Sequence, residues 1–317
     1  MGLWDKFAIR FFALMAVVLV TVGFSRLVAA ADEGFGKIQV IATISIIGDW
    51  VHVVGADDVD LKTLVGPNGD PHEYEPIPAD SISVAQAGLI FENGLGLETW
   101  LDKLYESAQS KATRVVITDG IDVRHLSQNE SKLAGGKDDD GDPHAWQNVK
   151  NAIVMVSNIR DALVRADAAH AADYKARAAA YIEQLNELDA WTADQIKSIP
   201  AAHRKLVTSH DAFGYFGQRY GVEVSRGALE SFTTEASDPS ARQIAEVVEQ
   251  IKASGVPVIF LENIQNPKLM NEIAQEANVR IGPPLYSDAL GPPGSEGDTY
   301  LKMVRYNVRT LVAALGQ

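Results

Sequence analysis

The chain has 317 residues, enough for two medium-sized domains with a substantial core. Its net charge of −14 argues against nucleic acid as a partner. It contains no cysteine, which excludes disulfides, thiolate metal ligands, a thiol nucleophile and a lipidated N-terminal Cys.

The N-terminus has the layout of a secretory signal peptide, residues 1–31. Lys6 and Arg10 precede the apolar run Phe11 to Phe24, and the small residues of LVAAADEG follow it, with cleavage expected near Ala30 or Ala31. The run is shorter than the roughly 20 residues that cross a membrane. The mature chain is therefore expected to begin near Asp32, outside the cytoplasm.

IQVIATIS and LKTLVG have the β-branched, nearly continuous apolar pattern of buried strands. A helix is expected over 79–87, a strand over 88–94, a helix over 97–108 and a strand over 113–120. Alternating strands and helices argue for a parallel α/β layer. Residues 127–143 break the pattern as a polar, Gly-rich loop carrying Asp138, Asp139, Asp140 and Asp142. Such a charge run is more often a solvated loop than a device for gathering cations. Helices follow over 148–165 and 168–198; Ala, Leu, Glu, Lys and Gln dominate the second, with no internal Gly or Pro. A helix of about 30 residues spans roughly 45 Å, the length of a connector between two lobes. After Pro200 the alternation resumes, with strands expected at 204–210, 222–227, 256–263 and 279–288 and helices at 212–221, 240–255, 267–278 and 299–315. The plan is an N-terminal α/β lobe (32–165), a connecting helix (166–199) and a C-terminal α/β lobe (200–317).

The tetrad Gly-Asp-Pro-His occurs twice, at 69–72 and 141–144. The residue before proline is held extended, Asp is a good helix cap and Pro a good first helical residue. Each tetrad therefore predicts a helix start with His at its second position, where the helix dipole disfavours imidazolium and favours the neutral, metal-binding form. Two ordinary capped helix starts would explain the pattern equally well. Of the seven histidines, His52 and His170 fall in helical surface patterns, His203 in a connector and His125 in a loop. His72, His144 and His210 fall at sheet edges, where open α/β sheets bind ligands. Asp288, just after the last expected strand, is a candidate fourth ligand. Ser209, His210 and Asp211 are sequence neighbours on one strand and point to alternate faces, so they make a poor hydrolytic triad.

DPHEYEP, DPHAW, TSHDAFGYF and SEGDTYLKMVRYN, in that order, resemble the metal-specific, helical-backbone class of periplasmic solute-binding proteins. These deliver zinc or manganese to ABC transporters. The resemblance covers residues 38–315 and implies two Rossmann-like lobes joined by one long helix, with the metal in the cleft between them. It also implies the ligands: His72, His144, His210 at the family's His-or-Glu position, and Asp288. His at that third position goes with zinc, so Zn²⁺ is the expected cargo and Mn²⁺ the alternative; the DPHEYEP spelling and the lack of a His-rich loop favour the alternative. Glu262 is a candidate partner behind the ligands, although plain structural use is the commoner role for such a residue, and Trp146 either shields the site or packs in the core.

Three functions compete. A transport receptor needs a closed coordination shell and an ABC permease as partner, and is expected to be a monomer, to bind no nucleic acid and to carry no lipid. A secreted zinc hydrolase would need an open coordination position and a general base, and no base motif accompanies His72 or His144. A surface adhesin would need an anchor. The expectation is a receptor and not an enzyme.

Overall fold

The computed structural model describes residues 36–125, 141–224, 241–264 and 267–316. The expected signal peptide and most of the acidic loop lie outside them. Strand β1 (Ile38–Ile44) runs directly into helix α1 (Ser45–Gly55), and β2 (Val59–Val65), α2 (Pro78–Gln86), β3 (Leu89–Glu92), α3 (Leu101–Ser107) and β4 (Thr113–Val116) follow. The four strands form one parallel sheet in the order β2-β1-β3-β4. Helix α1 was expected only as the helical surface pattern around His52, without bounds. Its segment SIIGDWVHVVG is rich in β-branched residues and looks like more strand, but Ile46, Ile47, Trp50, Val51 and Val54 are buried at helical spacing.

Helix α4 (Val149–Ala166) packs along α5 (Ala171–Lys197), whose 27 residues make a rod of about 40 Å. Helix α5 also packs on α1 of the first lobe and on α6 (Gly214–Tyr220) and α9 (Tyr300–Leu315) of the second. Asp189 fixes this junction by accepting hydrogen bonds from Arg219 Nε at 2.9 Å, Arg219 Nη2 at 2.5 Å and Tyr220 Oη at 3.0 Å.

The second lobe contains β5 (Lys205–Leu206), β6 (Glu223–Val224), α7 (Ala241–Ser254), β7 (Val258–Glu262), α8 (Pro267–Ala277) and β8 (Arg280–Leu285). β5 pairs with β6 and β7 with β8, both in parallel. The Phe260 N–H donates to the Val207 carbonyl at 2.9 Å, so the two pairs lie side by side. One continuous apolar core runs from β1, α1 and β3 through α4 and α5 to β8 and α9. A smaller cluster of Val247, Val248, Ile251, Ile259, Met270 and Ile273 fills the space among α7, α8 and β7.

Neither tetrad starts an α-helix, which corrects the expectation for both. Five residues separate His72 from α2, and His144 is followed by a single 3₁₀ turn, Ala145–Gln147, before α4 begins with Asn148 as its cap. The Asp caps its own tetrad instead. Asp70 Oδ1 accepts from the His72 N–H at 2.9 Å, and Asp142 Oδ1 from the His144 N–H at 3.0 Å. A short carboxylate that reaches the amide two residues on closes an Asx turn, and the intervening proline stiffens it. The repeated four residues are two copies of one turn.

Candidate metal centre

The two turns and two strand ends bring His72, His144, His210 and Asp288 together, with one ligand atom from each inside a 4.8 Å span. His72 is held by its loop: Trp100 Nε1 donates to the Pro71 carbonyl at 2.8 Å, and Tyr74 Oη donates to Asp80 Oδ2 at 2.7 Å, which also accepts the Ile77 N–H ahead of α2. His144 follows Gly141, whose φ of +90° is a backbone conformation that side chains resist. His210 follows β5, and Asp288 follows β8. The Ser287 carbonyl accepts from Trp146 Nε1 at 2.8 Å and Gln147 Nε2 at 3.0 Å, so the Asp288 segment is tied to the first lobe as well as to its own. Trp146 therefore does both jobs foreseen for it: it is fully buried, and its ring stands edge-on to His144 with centroids 5.4 Å apart.

The Nε2 atoms of all three imidazoles face the Asp288 carboxylate: His210 at 3.0 Å and His72 at 3.4 Å from Oδ2, His144 at 3.5 Å from Oδ1. His144 Nε2 and His210 Nε2 are 3.3 Å apart. A tetrahedral zinc site with Zn–N of about 2.0 Å has ligand–ligand edges of about 3.3 Å. His72 Nε2 and both Asp288 oxygens are buried without a hydrogen-bond partner. Orphaned buried acceptors of this kind need a cation or donor between them, and the set fits a divalent ion.

Behind the ligands stand two carboxylates. Asp142 Oδ1 lies 2.8 Å from His144 Nδ1, and Glu262 Oε2 lies 2.6 Å from His210 Nδ1. The Asp142 bond places the ring proton of His144 on Nδ1 and leaves its Nε2 lone pair for a metal, and the Glu262 contact with His210, an ion pair, favours the same tautomer. Glu262 Oε1 also accepts from Ser209 Oγ at 2.8 Å and the His210 N–H at 3.0 Å. Glu262 thus supports a ligand directly, a closer role than the plain structural one. Burial opposes charge on Glu262 and Asp288, but the neighbouring His210 outweighs it and lowers both carboxyls. Burial likewise opposes charge on His210, but Glu262 and Asp288 together raise it well above its ordinary value. At His210 the flanking carboxylates, and not a helix dipole, set the charge state.

Two α/β lobes that bury three imidazoles and one carboxylate together, each candidate ligand on a turn or strand end, have the makeup of a metal-binding receptor. The chain belongs to the family described as zinc-uptake complex component A, periplasmic, which matches residues 40–314. Its members are metal-binding solute-binding proteins of ABC transporters, work with a membrane permease and an ATPase, and act outside the cytoplasm. A manganese-binding lipoprotein of Halalkalibacterium halodurans, MntA, is 34% identical over 306 residues, spanning 96% of this chain and 98% of that protein. The manganese ABC transporter substrate-binding lipoprotein PsaA of Streptococcus pneumoniae is 34% identical over 310 residues, 96% of each chain. The solved structure of the periplasmic zinc binding protein TroA from Treponema pallidum superposes with a TM-score of 0.81 at 35% identity, covering 89% of this chain and all (100%) of that one.

Proposed function

We propose that this protein captures Zn²⁺ outside the cytoplasm through Nε2 of His72, His144 and His210 and the carboxylate of Asp288, and hands it to the permease of an ABC importer. The observation that carries the reading is the set of 3.0–3.5 Å separations between Nε2 atoms and Asp288 oxygens, close to the edges of a zinc tetrahedron. Three imidazoles make the site nitrogen-rich, which favours zinc over manganese. Four protein ligands leave no open position for a substrate water, so the hydrolase alternative lacks support.

A second reading, manganese as cargo, is favoured by one feature of the site. The Asp288 carboxylate straddles the centre, with Oδ1 towards His144 and Oδ2 towards His72 and His210. Binding through both oxygens would give five-coordination and a harder ligand set. The named manganese relatives lend weight to the same reading. Metal-stripped protein titrated with Zn²⁺ and Mn²⁺ in competition, with the bound species weighed by native mass spectrometry, separates the two. One tight Zn²⁺ weakened by His210→Ala supports the proposal. A manganese preference transfers it to the other cargo, and no tight metal refutes it.

The proposal includes a leader over 1–31, lobes over 32–165 and 200–317 with the connector 166–199 between them, and a monomer that binds no nucleic acid. It also includes a mature protein without a lipid, since the sequence has no cysteine to carry one. Intact mass of the protein secreted by its host tests both the cleavage site and the lipid.

A further inference from the structure

The metal ligands and the carboxylates behind them leave one nearby cation to account for. Arg124 follows β4 in the first lobe, and its side chain is mostly buried, 19% exposed. Nη1 donates to Asp142 Oδ2 at 2.7 Å, the oxygen of Asp142 that does not serve His144. Nη2 lies 3.4 Å from Asp211 Oδ2, on the residue that follows ligand His210 in the second lobe. The guanidinium therefore spans the cleft from the partner of one ligand to the neighbour of another. The backbone makes the same crossing: the Arg124 N–H donates to Tyr215 Oη at 2.9 Å, and Tyr215 Oη donates to the Asp142 carbonyl at 3.0 Å.

Gly214 supplies an independent observation. A Cβ there would collide with the Cζ, Nη1 and Nε atoms of Arg124. Its backbone is not left-handed, so the helix itself would accept alanine. The missing side chain makes room for the guanidinium at the start of α6.

We propose that Arg124 is a positioning residue that clasps the two lobes across the metal cleft and slows escape of the bound ion. It touches no metal. A planar guanidinium can pair with two carboxylates at once, which an ammonium cannot do with the same geometry. A contact that must break before the ion can leave lowers the dissociation rate more than it raises the association rate.

The inference rests on the proposed ligand set, and the test keeps the two apart. Zn²⁺-loaded protein is mixed with excess chelator in a stopped-flow instrument, and release is compared among wild type, Arg124→Gln, Gly214→Ala and the double variant. Gly214→Ala displaces the guanidinium and leaves every carboxylate in place, so it serves even where Arg124→Gln folds poorly. Release is expected to quicken by about tenfold in each single variant, with association changed by less than about twofold. The double variant is expected to release no faster than the quicker single one, because both changes break the same contact. Wild-type release rates in both single variants, or multiplied effects in the double variant, would overturn the clasp. If wild type holds Zn²⁺ and Asp288→Ala does not, that result falls on the clasp alone. If wild type holds none, the ligand set fails and the clasp with it.

Discussion

Replacing Glu262 with Gln removes one charge from behind the metal site without changing its volume. Oε1 accepts two donors, Ser209 Oγ–H at 2.8 Å and the His210 N–H at 3.0 Å, so the amide oxygen of a glutamine must take that position. Its NH₂ then takes the place of Oε2, 2.6 Å from His210 Nδ1. Two donors cannot face each other at that distance, so the imidazole proton moves to Nε2, the atom aimed at Asp288 and the metal. A ligand becomes an N–H. Loss of a group that orients a ligand costs about 10–100-fold in metal affinity, and the tautomer change places this variant at the upper end, about 2.7 kcal/mol. Competition of a fluorescent chelator with the stripped protein at pH 7 measures it. NMR titration of the metal-free form adds a second reading, a lower His210 pKa once the Glu262 charge is gone. Affinity within about twofold of wild type, with the fold intact by circular dichroism, would refute the argument that Glu262 sets the His210 tautomer.

Other outcomes follow from the same geometry. His210 is raised above its ordinary 6.5 by Glu262 and Asp288 against the pull of burial, so its stabilising share in the metal-free protein is complete below 6.5 and is lost as pH rises through the raised value. Asp288 and Glu262 are lowered, against the upward push of burial, from 3.8 and 4.5 by His210; their share is present above those values and is lost as pH falls through the lowered ones. Metal-free protein is therefore expected to gain most from this trio between 4.5 and 6.5, while the rise in Tm on adding metal grows as pH rises through the raised His210 value and the imidazole gives up its proton; scanning calorimetry with and without Zn²⁺ checks both. Gly141→Ala forces a side chain into φ +90° and against Val123, and is expected to cost at least about 1–2 kcal/mol of stability and to weaken metal binding, read by urea unfolding and titration. Asp189→Ala strips Arg219 and Tyr220 of their shared acceptor and is expected to cost about 1–3 kcal/mol in urea unfolding with metal affinity unchanged.

The candidate ligands were legible because each is chemically conspicuous: imidazoles and a carboxylate at expected strand ends and in Asp-Pro-His turns. The reason for the turns was not legible. Asp-Pro suits a helix cap and an Asx turn equally, and only the backbone after His72 and His144 distinguishes them. The bounds of helix α1 escaped because β-branched residues pattern alike in a buried strand and a buried helix. Of the strand expected over 204–210 only Lys205 and Leu206 pair, since periodicity reports burial and not pairing. Glu262 reads as a candidate partner behind the ligands from its place at a strand edge, while Asp142 reads only as part of the acidic loop. Their bonds to His144 and His210 cross the fold at separations that no local pattern encodes, except that Asp142 stands two residues before its partner.

The apolar core that passes unbroken through α5 into both lobes also bears on how cargo is surrendered. Jaws on a hinge need a seam of weak contacts to part along, and here the lobes share close-packed side chains over much of the rod. Thermal gaping would have to tear that packing, so a loaded receptor travels as a sealed vessel and loses little in transit. The work of unloading then falls to the transporter, which must pry away a ligand-bearing turn locally while the body of the receptor stays whole.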